Sequence, residues 1–352
     1  MLYISSIHCW PKALRIRLSI IYGCWAVKGN RGKDIAAAST VYTATAARTI
    51  LNVSAVQKAK QHTDTCGTKD LPGAVHNKAY YIFCDLDGTL LYSNKEPSRK
   101  TINYLRHLKE HFAVTIGIAS GRAPSSILPL MKRFEMEDVI DIVIANNGVD
   151  TIDIHTGSHH REGLIQPETI AEIVNCFHPC PQIITAFHNP DILYATGSSG
   201  RVDSIMKMND LHLIFDPAKD ISYQGAPRVM LLFDPAYRVM VEEAVKQHPI
   251  QGVKGYFAEP DIYEFSSCHI SKHKAMEAYV QQFEHTLQDV MVFGDSENDI
   301  GMLKGCGIGV AMRNAEQTIQ DCADWVSEYT NDEDGIYEFL CRHEYLLREK
   351  EN

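Results

Sequence analysis

From residue 79 onward, short apolar runs alternate with stretches of helical spacing, and few folds accommodate that order. "YYIFCDLD" runs straight into turn residues, as a strand buried on both faces does. "TINYLRHLKEHF" then places Ile102, Leu105, Leu108 and Phe112 at helical spacing, and "AVTIGIAS" is a second β-rich run. A helix led by Pro124, "APSSILPLMKRF", and a third strand, "VIDIVIA", follow. The alternation returns late in the chain as helix "KAMEAYVQQF", strand "DVMVFGD", helix "NDIGMLKG", strand "GIGVAM", helix "AEQTIQDCA" and strand "WVS". Strands and helices in this order predict an α/β fold built on a doubly wound parallel sheet, with helices on both faces.

Between about 149 and 260 the character changes to turn signals ("HTGS", "GSSG", "DPAKD", "HPIQG") and short β-rich runs such as "RVMLLF". A second α/β module, inserted as a lid over the strand ends of the first, is the expected reading. The core is then 79–148 plus 261–352 and the cap 149–260. Residues 1–78 show little periodicity and hold eleven Lys/Arg against three Asp, about +8, so the net charge of −10 leaves about −18 on the rest. Their tract "DIAAASTVYTATAART" has a presequence-like composition, but a disordered leader or an over-extended gene start is the expected reading. The apolar run at 18–27 is half of the ~20 residues a membrane helix needs, so no membrane partner is expected. Nor does the acidic net charge supply the basic footprint of a nucleic-acid binder. Ten cysteines scattered without framework spacing point to a reduced, cytoplasmic setting, and "CFHPC" lacks the second Cys/His pair of a zinc site.

Side chains at i and i+2 of a strand share a face, so Asp85 and Asp87 are expected to converge while Leu86 points away. Like charges that close repel, yet the pair falls at the carboxyl end of a strand, where open parallel sheets bind ligands. "IASGR" ends another strand at Ser120 and turns through Gly121, offering a hydroxyl and free N–H groups to an anion. "ISKHKAM" sets Lys272, His273 and Lys274 against the dipole of a helix start; a bound anion explains this better than a solvated face does. In "VFGDSENDIGML", Asp295 ends a strand and Asn298 and Asp299 fall in the next helical turn. Three or four carboxylates around one crevice need a cation, and an all-oxygen set suits Mg²⁺.

Together these stretches resemble the haloacid dehalogenase superfamily of phosphotransferases. "DLDGTLL", Ser120, Lys272 and "GDSEND" match its four motifs in order, and "NNGV" and the closing segment "GVAMRNAEQTIQDCADWVSEYTNDEDGIYEFL" look like the Cof-type branch. The resemblance implies a Rossmann-like core with a large inserted cap that sets specificity. It implies a Mg²⁺-dependent phosphatase of a small phosphorylated metabolite, a sugar phosphate or cofactor phosphate. Asp85 would be the nucleophile and Asp87 the general acid and base. Ser120, Gly121, Lys272 and Asn298 would hold phosphate, and Asp85, Asp87, Asp295 and Asp299 the metal. Asp87 at the second position implies phosphate-ester chemistry rather than dehalogenation. A phosphomutase, or a catalytically idle phosphate-sensing module, is the alternative; eight Lys/Arg against twelve Asp/Glu over 151–257 speak against a mutase cap. His273 stands where the branch usually has glycine, which leaves Lys272 and Lys274 both open as the phosphate lysine. His188, Asn189, Tyr194 and Arg228 are the polar candidates of the cap.

Overall fold

The computed structural model describes residues 78–188, 192–209, 212–215 and 225–350. The expected leader at 1–78 lies outside the described residues, apart from Lys78.

The first half of the core comprises β1 (Tyr81–Cys84), α1 (Arg99–His111), β2 (Thr115–Ala119), α2 (Pro124–Arg133), β3 (Ile142–Ala145), β4 (Asp150–Asp153) and β5 (His159–Arg161). The inserted module follows as α3 (Pro167–Phe177), β6 (Ile184–His188), β7 (Ile192–Ala195), α4 (Gly200–Asn209), β8 (His212–Phe215), β9 (Arg228–Leu232), α5 (Arg238–Gln247), β10 (Val253–Glu259) and β11 (Ile262–Ser267). The chain returns through α6 (Lys272–Gln281), β12 (Val290–Gly294), α7 (Ile300–Gly305), β13 (Ile308–Ala311), α8 (Gln317–Gln320), β14 (Trp325–Val326) and α9 (Gly335–Arg342).

The core sheet has the order β14-β13-β12-β1-β2-β3-β4-β5. Its first six strands are parallel, and β4 and β5 continue it antiparallel. Alternation along the strands explains the apolar runs. Ile82 and Cys84 pack on one face with Leu105, Leu108, Ile118 and Phe293. Tyr81 and Phe83 pack on the other with Ile144, Met276, Val280 and Val292. With both faces covered by helices, neither register position can be polar. At a working value of ~25 cal/mol per Å² of apolar surface removed from water, such burial is the main stabilising term. Ser98 caps α1, accepting from Thr101 N, and Ile102, Leu105 and Leu108 face inward as their spacing predicted.

Sheet membership moves both expected junctions of the cap. Asn146, Asn147 and Gly148 have φ of 49°, 55° and 107°, so the chain reverses directly after β3 and residues 150–161 return along it as part of the core sheet. The second junction moves to about 268, because β11 pairs with both β10 and β9 inside the cap sheet. That sheet has the order β10-β11-β9-β6-β7-β8, antiparallel except for the β7–β8 pair. No helix among the described residues is long and apolar enough to cross a membrane.

Candidate active site

The parallel strands deliver their carboxyl ends to one rim. Asp85 continues β1, its N–H donating to Phe293 O at 3.0 Å, and is 5% exposed. By strand alternation it extends the face of Phe83, which α6 covers with Ala275 and Met276. Lys272, the first residue of α6, is therefore carried to it: Nζ donates to Asp85 Oδ1 at 2.6 Å and to Asp299 Oδ1 at 2.7 Å, and the side chain is 1% exposed. Leu86 turns to the opposite face, as expected. Lys274 is exposed, and its Nζ donates to His269 O at 2.9 Å; of the two lysines left open by the sequence, Lys272 is the one at the carboxylates. His273 packs instead toward α7, where a Cβ on Gly305 would lie 2.1 Å from its Nε2. The small residue of the resembled motif is thus replaced by a pair, His273 on one helix and glycine on the next.

Carboxylate oxygens of Asp85, Asp295 and Asp299 all lie within 4.8 Å of one another. Two devices hold them. Thr89 Oγ1 donates to Asp295 Oδ1 at 2.8 Å, and Gly88 at φ +80° leaves room for that carboxylate, since a Cβ there would lie 2.3 Å from Asp295 Oδ2. Asp299 Oδ2 accepts from Asp295 N, Ser296 N and Ser296 Oγ at 3.0, 3.1 and 3.2 Å, fixing the turn after β12. Burial pushes the Asp85 carboxyl up to about 7, against the pull of Lys272 and with the help of Asp299 and Asp295. Asp295 rises to about 6 by burial, opposed by the Thr89 bond and helped by Asp299. Burial works to lower Lys272, but Asp299 and Asp85 outweigh it and the ammonium is raised. Three carboxylates and one ammonium leave two negative charges unmatched. Neither Asp85 Oδ2 nor Asp295 Oδ2 accepts a hydrogen bond among the described residues. An all-oxygen set of that charge fits a hard divalent cation such as Mg²⁺.

Asp87 goes elsewhere. Arg122 grips it with two bonds of 2.7 Å, Nε to Oδ2 and an Nη to Oδ1, and Lys95 Nζ donates to Oδ1 at 2.8 Å. Burial pushes its carboxyl up, but these two cations outweigh that and hold it below the usual range. The strand ends at Cys84, and the Asp87 carboxylate stands outside the Asp85, Asp295 and Asp299 cluster, which leaves only its backbone carbonyl as a candidate metal ligand. Neither Arg122 nor Lys95 was singled out from the sequence, although Arg122 directly follows the Ser-Gly turn.

Ser120 is buried after β2, and its Oγ accepts from Arg122 N at 3.2 Å, leaving the hydroxyl proton free to donate. Gly121 sits against Asn147, whose amide would be 3.3 Å from a Cβ there. Asn298 does not reach the carboxylates. Its Nδ2 donates to Asn147 Oδ1 at 3.0 Å, and its Oδ1 accepts from Ser296 Oγ at 2.8 Å. Asn147 in turn donates from Nδ2 to Tyr256 OH on β10 at 3.1 Å. The "NNGV" turn therefore ties the acidic turn of the core to the cap, a role set by partners distant in sequence. Of the cap candidates, His188 and Tyr194 are buried in the cap, Tyr194 stacked on Phe187 at 4.9 Å. Arg228 pairs with Glu264 at 3.2 Å, and Asn189 lies outside the described residues.

Residues 82–340 match the family model described as haloacid dehalogenase-like hydrolase. Phosphatase YwpJ of Bacillus subtilis is 27% identical over 283 residues, which cover 72% of this chain and 96% of YwpJ. The X-ray structure of TM0651 from Thermotoga maritima is 25% identical with a TM-score of 0.63, covering 75% of this chain and 97% of that one. The subclass IIB sugar phosphatase BT4131 shares the fold at 21% identity and a TM-score of 0.64, over 76% of this chain and all of its own. With two buried carboxylates and a half-buried third at the carboxyl ends of a parallel sheet, a lysine bridging the buried two, and a family model matched from the first strand to the last helix, this chain belongs to the haloacid dehalogenase-like hydrolases.

Proposed function

We propose that the chain is a Mg²⁺-dependent phosphatase that hydrolyses a small phosphorylated metabolite, a sugar phosphate or cofactor phosphate, through an aspartyl-phosphate on Asp85. The observation that carries this reading is the state of Asp85: buried, held through Oδ1 by Lys272, with Oδ2 taking no hydrogen bond. Asp85 Oδ2 attacks phosphorus in line with the ester oxygen, forming the new O–P bond as the ester O–P bond breaks. Asp87 gives its proton to the departing oxygen, then takes one from the water that attacks the phosphorus of the acyl phosphate, breaking the Asp85 O–P bond and releasing inorganic phosphate and the Asp85 carboxylate. In the structure described here Asp87 is an anion between Arg122 and Lys95. When an arriving phosphate ester draws one of those cations away, Asp87 takes up a proton from solvent, and that is the proton it gives to the departing oxygen. Lys272 and the Ser120 hydroxyl, beside the N–H groups at Gly121, position the phosphoryl oxygens. Asp85, Asp295 and the backbone carbonyl of Asp87 would hold the Mg²⁺, which when bound neutralises charge on the phosphoryl group and keeps Asp85 ionised. Asp299, both of whose oxygens are engaged, holds Lys272 and the acidic turn in place. The phosphatase name of the Bacillus relative supports the same chemistry.

The test is hydrolysis of p-nitrophenyl phosphate with Mg²⁺, with EDTA, and by Asp85→Asn. Turnover should need the metal and Asp85 together. Activity that survives both chelation and the substitution would overturn the reading.

A further inference from the structure

A cavity of about 260 Å³ has Lys272, Asn147 and Asn298 of the core and Lys254, Tyr256 and Ser266 of the cap among its lining residues, and reaches the carboxylates through Lys272, which bonds Asp85 and Asp299. Its cap wall is built unevenly. The Tyr256 hydroxyl is committed: it donates to Glu264 Oε1 at 2.7 Å and accepts from Asn147, and Arg228 braces Glu264 from behind. The amides of Asn147 and Asn298 are committed to each other. Ser266 is different, being 5% exposed with an Oγ that has no hydrogen-bond partner. A buried hydroxyl without a partner costs ~1–3 kcal/mol, a cost that a bound polar group would remove.

Lys254 stands at the open side of the same cavity. Its Nζ makes one long bond of 3.3 Å, to Ile270 O, and no carboxylate lies within ion-pair distance of it among the described residues. Partial burial and then Lys274 lower its pKa, so the ammonium sits in surroundings that disfavour its charge. Lys272, on the cavity floor, is already matched by Asp85 and Asp299. Glu297 also lines the cavity, but it is exposed and forms no ion pair among the described residues. The cap is net acidic, yet its wall of the cavity that Lys272 also lines offers an unmatched ammonium beside an unmatched buried hydroxyl.

We infer that Lys254 and Ser266 form a leaving-group subsite that recognises a second anionic group on the substrate, a carboxylate or a further phosphate, in addition to the phosphate that is cleaved. This rests on the phosphatase reading for the placement of the scissile phosphate at Lys272. It goes beyond that reading by naming the substrate class and the residues that select it.

Matched pairs test it. 3-Phosphoglycerate differs from glycerol 3-phosphate by a carboxylate in place of a hydroxymethyl group, and fructose 1,6-bisphosphate differs from fructose 6-phosphate by a second phosphate. The wild-type kcat/KM should be at least about tenfold higher for the doubly anionic member of one pair, and which pair shows it separates carboxylate from phosphate. Lys254→Met should reduce that ratio about tenfold and Ser266→Ala about threefold. A ratio near one in the wild type, or a ratio unchanged by Lys254→Met, overturns the inference. Calorimetric binding of the same four compounds to Asp85→Asn reads the preference without turnover. Preference in binding without hydrolysis of any ester leaves the subsite standing and removes the phosphatase reading; hydrolysis without preference does the reverse.

Discussion

Replacing Lys272 by methionine removes the one ammonium among the described residues that pairs with Asp85 and Asp299, while nearly preserving side-chain volume. With an effective dielectric of about 20, carboxylate oxygens within 4.8 Å of one another repel by at least roughly 3.5 kcal/mol per pair, or at least about 10 for the three pairs. At 2.6 and 2.7 Å, Lys272 returns about 6 kcal/mol with each of its two partners, close to cancelling that repulsion. Relaxation and proton uptake reduce the measured loss; breaking a buried pair by removing one member typically costs about 3–5 kcal/mol. At roughly 2–4 °C per kcal/mol for a domain of this size, the melting temperature in EDTA should fall by about 10 °C. Mg²⁺ should restore part of that loss, because the variant keeps the carboxylates and lacks their internal counterion. Lys274→Met, which removes an exposed ammonium bonded to a carbonyl, is the control and should melt within about 1–2 °C of wild type. The assay is thermal unfolding followed by circular dichroism, with and without EDTA. If Lys272→Met and Lys274→Met melt alike in EDTA, the account of the cluster as a charge-balanced unit is wrong.

Further outcomes follow from single contacts. Gly88→Ala sets a Cβ 2.3 Å from Asp295 Oδ2 at φ +80°, so it should cost about 1–3 kcal/mol in denaturant unfolding and lower p-nitrophenyl phosphate turnover at least tenfold. Gly305→Ala places a Cβ 2.1 Å from His273 Nε2 and should destabilise by about 1–3 kcal/mol. The same change in a His273→Gly background should be nearly neutral, and equal costs in both backgrounds would deny the packing. Asn147→Ala removes the bridge from Asn298 to Tyr256, so KM for a metabolite ester should rise several-fold while cleavage of p-nitrophenyl phosphate changes less; parallel losses on both substrates would contradict a cap-coupling role. Asp87→Asn should reduce kcat by about 10²–10⁴ and remove the pH dependence of the leaving-group step, read by comparing esters of different leaving-group pKa.

The parts of this molecule that repeat were the parts readable in its sequence. Buried parallel strands must be apolar on both faces, so "YYIFC", "TIGIA" and "DVMVFG" announce themselves, and the residues that end them are by topology the residues at the rim. Asp85, Ser120 and Asp295 needed little more than that. What escaped depended on turns and on partners far away in sequence. The left-handed residues Asn146 and Asn147 fold β4 and β5 back onto the core, although "HTGS" reads like the start of a new module. β11 enters the cap sheet between β9 and β10, and no local pattern encodes that pairing. The pairing of Asp87 with Arg122, 35 residues on, is invisible to an i, i+2 rule, which holds only while the strand lasts. Likewise Asn147 meets Tyr256 across 109 residues, so its bridging role follows from the cap's placement and not from the phrase around it.

The claim on which the rest depends is that Asp85 is the atom-level acceptor of the phosphoryl group. Mixing protein with excess phosphate ester and Mg²⁺, quenching in acid within the first turnover, and mapping peptides by mass spectrometry tests it directly. The account predicts one phosphoryl adduct, on the peptide carrying Asp85, lost with hydroxylamine and absent from Asp85→Asn. Turnover with no adduct at Asp85, or an adduct on another residue that persists in Asp85→Asn, would contradict it.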